Sequence, residues 1–180
     1  MKKTIRKNKK PEIEDRIESL LGGEMKTIAL DLVAYLREKK MPPKSATKTS
    51  WKVSYKGKTI CSISINDNEW CVWTYVWYTN YFTPEYQAEY EDFVLNENLR
   101  KFIWNGLVSC VAYYPKKDGD KKGCCHPGKS CAGGQTKIVF GKEFKNMCIA
   151  RDTFFYDPDD KAIENIKKII EFRQMKIEKS

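Results

Sequence analysis

The apolar period of this chain changes twice, and those changes restrict the folds open to it. In residues 24–40 the apolar positions Met25, Ile28, Ala29, Leu32, Val33 and Leu36 step by three and one in alternation, the stripe of a single helix face. Residues 11–21 before it set Ile13, Ile17, Leu20 and Leu21 on one face, with Gly22-Gly23 as a stop, and Pro42-Pro43 ends the second helix. From Trp51 the period becomes two. Residues 51–55, 59–65 and 70–78 read as three antiparallel strands joined by turns at Lys56-Gly57-Lys58 and at 66–69. In the middle strand Cys61, Ile63 and Ile65 point one way and Ser62 and Ser64 the other.

Helical period then returns. Thr83-Pro84-Glu85 supplies a capping hydroxyl, a proline for the first helical position and a carboxylate near the positive helix end. Tyr86, Tyr90, Phe93 and Val94 form the buried stripe of that helix, and Leu99, Phe102 and Ile103 predict a short one ending near Asn105-Gly106. Residues 107–114 and 135–140 are expected as further strands, Gly141-Lys142 as a turn and 147–156 as extended chain. Asp157-Pro158 opens a closing helix with Ile163, Ile166, Ile169 and Ile170 on its apolar face. This order implies an α+β fold, a mostly antiparallel sheet of about five or six strands packed against helices, with a cysteine-rich loop. The expected organisation is a flexible basic arm at 1–10 and a single domain over 11–180, with the cysteine-rich loop at 115–134; a chain of 180 residues suits one domain.

Three of the seven cysteines and the only histidine fall in one short run, GCCHPGKSC from Gly123 to Cys131. Cys124, Cys125, His126, Cys131 and the later Cys148 offer soft ligands of the kind a tetrahedral zinc ion takes, and Cys110 stands where it can join them. Which of Cys110, Cys124, Cys125 and His126 complete such a site stays open. Iron is the alternative metal. A long loop with little structure of its own is uncommon in a compact domain unless something holds it, and a closed four-ligand site would be a staple, not a catalyst. The competing reading leaves these cysteines as reduced thiols or small buried apolar residues. The same run also spells the phosphate-loop pattern Gly123-x-x-x-x-Gly128-Lys129-Ser130. That mechanism needs a strand feeding the loop and a helix leaving it, and neither flank reads that way, so nucleotide binding is the weakest alternative. No residue can be named to orient a catalytic cysteine beside His126, and the reading leans away from an enzyme. Cys61 and Cys71, on neighbouring strands, read as packing residues.

Trp51, Trp70, Trp73, Tyr75 and Trp77 crowd the strand region, and the third strand carries aromatic rings on both faces. One face is expected to pack on the helices and the other to floor a cleft for a flat or apolar ligand. No Lys or Arg interrupts the stretch from Trp70 to Tyr81, which counts against stacked single-stranded nucleic acid there. Of the net +9, six charges come from Lys2, Lys3, Arg6, Lys7, Lys9 and Lys10, leaving +3 on the body. Such an arm can touch phosphate or an acidic partner, or simply remain a solvated tail. No apolar run approaches the ~20 residues of a membrane helix, and the basic start lacks the apolar core of a secretory signal. A cytoplasmic setting follows as an expectation, in which thiols are free or metal-bound; seven cysteines is also an odd number for a disulfide framework.

Two resemblances rest on these residues. The front half, IALDLVAYLREKKMPP through WKVSYKGKTICSISINDNEWCVWTY, resembles the small YdhG-like α+β proteins, a group that includes a frataxin-like iron chaperone; this implies an α+β fold and metal handling. The back half, CAGGQTKIVFGKEFKNMC with FYDPDDKAIENIKKIIEFR, is similar to an uncharacterised Firmicute-type cysteine-rich family, through Cys131, Gly141, Lys142, Phe144, Cys148, Asp157 and Pro158. The expected function is a metal-stapled binding module for a small molecule or metal at the aromatic sheet face, with nucleic-acid or protein-partner binding through the arm as the alternative.

Overall fold

A computed structural model describes residues 12–75, 84–108, 135–147 and 153–179. The order is α1 (Ile13–Leu20), α2 (Gly23–Glu38), β1 (Lys44–Ser45), β2 (Ser50–Tyr55), β3 (Lys58–Asn66), β4 (Glu69–Thr74), α3 (Pro84–Asn96), α4 (Arg100–Gly106), β5 (Gln135–Val139), β6 (Lys142–Met147), β7 (Thr153–Tyr156) and α5 (Asp160–Glu178). Five strands form one antiparallel sheet in the order β1-β2-β3-β4-β7, and β5-β6 make a separate hairpin. The fold is α+β, as the periodicity predicts. No described helix is long and apolar enough to cross a membrane.

The two opening helices form an antiparallel hairpin. Gly23, with φ of 54°, turns the chain between them at little steric cost. Glu14 on the first turn of α1 meets Arg37 on the last turn of α2 through two hydrogen bonds of 2.7 and 3.1 Å. Burial alone would raise the Glu14 carboxyl, but the hydrogen bond and charge of Arg37 outweigh it and hold the group below its usual range.

Strand register sorts the sheet into two faces. Trp51 pairs Ile63, Val53 pairs Cys61, Ile63 pairs Val72 and Ile65 pairs Trp70, so these apolar side chains share one face. That face is the core, closed by Ile13 and Ile17 of α1, Leu32 and Leu36 of α2, and Ile166 and Ile170 of α5. Each such aliphatic side chain contributes roughly 1.5–3 kcal/mol by leaving water. The opposite face carries Ser62, Ser64, Cys71, Trp73, Phe154 and Tyr156, as the pairs Ser62↔Trp73, Ser64↔Cys71, Trp73↔Phe154 and Cys71↔Tyr156 require.

Several expectations shift. The edge strand β1 is too short, and too close to Pro42-Pro43, to leave a period of its own. The second hairpin turns at Phe140-Gly141, both at positive φ (49° and 77°), and Lys142 already belongs to the returning strand. Phe140 is buried there with its ring centroid 6.1 Å from that of Tyr90, which explains why a bulky residue occupies a left-handed turn position. The closing helix is capped by Asp159, whose Oδ1 accepts the Ala162 N–H at 2.7 Å. Asp157 is spent elsewhere: its Oδ1 accepts the Trp70 N–H at 2.9 Å while its own N–H donates to the Trp70 carbonyl at 2.9 Å. Of the strand expected at 107–114, only residues 107 and 108 are described, and Leu107 bridges Thr153.

Candidate ligand site

The site is built where β7 closes the sheet. In the run Thr153-Phe154-Phe155-Tyr156, Thr153 and Phe155 turn to the core face and Phe154 and Tyr156 to the outer one. Thr153 shares a hydrogen bond with Thr74 in the interior. On the outer face the Trp73 and Phe154 rings lie 4.5 Å apart, and Phe154 stacks on Tyr156 at 5.9 Å. Trp73 Nε1–H reaches Cys71 Sγ at 3.0 Å, and the Tyr75 hydroxyl lies 3.3 Å from Ser62 Oγ. The result is an aromatic strip ending in Tyr156, which is 70% exposed.

This strip runs into a groove of about 800 Å³ between α4, β7 and the first turn of α5. Phe154, Phe155 and Tyr156 all line it, although they alternate in direction, so the groove straddles the edge of the strand. Its opposite wall is Phe102, stacked on Phe155 with centroids 4.3 Å apart and ring planes 1° from parallel. Gly106 makes that approach possible, because a Cβ there would sit 2.6 Å from Phe155 Cε1.

Charges around the groove are unequally engaged. Glu97 pairs with Lys168 at 2.7 Å, and Asp159 is occupied in capping α5. Lys101 and Lys161 also line the groove, and neither has an ion-pair partner among the described residues. Rings, amides and two ammonium groups can supply stacking, hydrogen bonds and charge attraction.

The sequence-predicted site residues divide three ways. Trp73 lies on the outer face as part of the strip, and Tyr75 lies on the same face beside it. Trp51 and Trp70, each 1% exposed, lie on the helix-covered face and are core residues, which removes them from the lining of a ligand pocket. Their indole N–H groups find no hydrogen-bond partner among the described residues. Trp77, the metal candidates Cys110, Cys124, Cys125, His126, Cys131 and Cys148, and the run from Gly123 to Ser130 lie outside the described residues, as do the arm at 1–10 and the loop at 115–134. Among the described residues no cluster of three or more His, Cys, Asp or Glu could hold a metal. Cys61 and Cys71 are buried on opposite faces of the sheet. Burial pushes the Cys61 thiol up to about 12, which suits packing and neither metal binding nor nucleophilic attack.

The sequence reading missed Phe102, Phe154, Tyr156, Lys101 and Lys161. The alternation of TFFY carried a signal for the two outer rings, but nothing local shows that α4 folds against that strand. No family model, curated protein or solved structure matches this chain.

Proposed function

We propose that this protein is a binding module that takes a flat, largely apolar small molecule on the outer aromatic face of its sheet. The observation that carries the proposal is the continuity of the strip Trp73–Phe154–Tyr156 with the groove beside β7. The exposed Tyr156 ring beside a cavity of this size, with Phe102 and Phe154 also in its lining, suits a ligand of two or three fused rings, since small-molecule sites typically occupy about 300–1,000 Å³. Titration with the neutral probe 2-naphthamide, followed by tryptophan fluorescence, tests it. Saturable quenching that weakens about two- to tenfold in Tyr156→Ala is expected, in line with the ~0.5–1.5 kcal/mol an aromatic pair contributes beyond its area. Absence of saturation, or identical affinity in the variant, would refute it.

The cysteine-rich segment belongs to the same proposal as a zinc-held staple. Cys124, Cys125, Cys131 and Cys148, with His126 or Cys110 as replacement ligands, form a thiolate and imidazole donor set that matches structural zinc. The resemblance of the front half to the YdhG-like proteins keeps iron as the alternative ion. Elemental analysis of untagged protein is expected to find one zinc per chain with about four thiols shielded from titration. Metal-free protein with all of those cysteines reactive would remove the staple.

A further inference from the structure

We infer that the groove beside β7 is selective for an anion, so that its ligand is a flat conjugated ring carrying a carboxylate or another acidic group at its edge. The inference rests on the aromatic-face reading above and adds the charge of the ligand. The floor and one wall are apolar, formed by Phe154, Tyr156 and Phe102, and they leave the polar recognition to the rim. There the two acids are already occupied: Glu97 by the Lys168 ammonium at 2.7 Å, and Asp159 by the Ala162 N–H at 2.7 Å. The two cations, Lys101 from α4 and Lys161 from α5, have no acidic partner among the described residues. The charge left for a ligand is therefore positive, and a ring lying against the exposed Tyr156 presents its edge to that rim. The first turn of α5 borders the same groove through Pro158 and Ala162, and its helix dipole adds to this preference without creating it.

The test uses the full chain with a matched pair of probes, 2-naphthoate and the neutral 2-naphthamide. The naphthoate is expected to bind about three- to fivefold more tightly, the range an exposed ion pair supplies. That advantage shrinks as salt is raised towards ~1 M. Lys101→Gln and Lys161→Gln each lower the naphthoate-to-naphthamide affinity ratio towards one, a ratio in which any general weakening of the ring site cancels. Equal affinity for both probes overturns the anion preference and leaves the aromatic-face reading standing. Persistence of the preference in the double lysine variant overturns the assignment to these two residues. If neither probe binds, the aromatic-face reading fails and the inference falls with it.

Discussion

Gly106 bears directly on the proposed site. A methyl group there would lie 2.6 Å from Phe155 Cε1 and 2.9 Å from Cζ, and that ring also stacks on Phe102, one turn earlier on α4. The better helix propensity of alanine gives back only ~1 kcal/mol. Gly106→Ala is therefore expected to destabilise the protein by a net ~1–2 kcal/mol, the scale of overpacking, in chemical denaturation, and to weaken naphthamide binding. A neutral or stabilising result would show that α4 does not sit against β7 as described. At this scale the sequence was partly legible. The alternation of Cys61, Ile63 and Ile65 with Ser62 and Ser64 assigned the faces of β3 correctly. The tryptophans were harder to divide, because Trp51 and Trp70 differ from Trp73 only in which way the pleat turns them, and that depends on register with neighbours distant in sequence.

Two aspartates near the start of α5 show how an element can be legible while its anchoring is not. The helix itself is plain from its isoleucine stripe, and Asp157-Pro158 looks like its beginning. Asp159 holds the cap instead, because Asp157, at φ of 40°, extends the β4–β7 ladder by bonding both backbone groups of Trp70. Removing either carboxylate therefore has a different consequence. Asp159→Ala is expected to cost about 1 kcal/mol, the usual value of a lost N-cap. Asp157→Ala leaves the Trp70 N–H without its side-chain acceptor and costs about 1–3 kcal/mol, with hydrogen exchange quickening at the end of β4. If exchange at Trp70 is unchanged in Asp157→Ala, the ladder contact is not formed. The short edge strand β1 and the returning strand β6 escaped the sequence reading for a related reason. KEFKNM has only Phe144 and Met147 as apolar positions, and pairing with β5 defines it as a strand more than its own pattern does.

For the whole molecule, one helix-covered face and one aromatic outer face were both expected from periodicity. The meeting of α4 with the edge of β7 was not, since it joins segments some fifty residues apart. The core also gives the protein a pH signature. Burial pushes the Cys61 thiol from an ordinary value of 9.0 up to about 12, and burial together with the Glu171 carboxylate raises the Tyr35 hydroxyl well above its usual 10.0. Both folded groups hold protons that the unfolded chain releases, so stability is fully present below the unfolded values and declines as pH rises through 9 and 10. Replacing Cys61 by Val removes one of these titrations and is expected to flatten the decline by up to about 1.4 kcal/mol per pH unit. An unchanged slope in equilibrium denaturation would mean the thiol ionises in place.

A binding module of this kind must receive its ligand in the groove beside β7. Amide chemical shifts of isotope-labelled protein, followed through a titration with 2-naphthamide, address this residue by residue. Shifts are predicted to concentrate on α4 near Lys101, Phe102 and Asn105, on Phe154 and Tyr156, and on α5 near Ala162 and Asn165, while the helix-covered core near Leu32 and Ile166 stays still. Shifts scattered over the surface, or none at saturating probe, would contradict a binding site on this face.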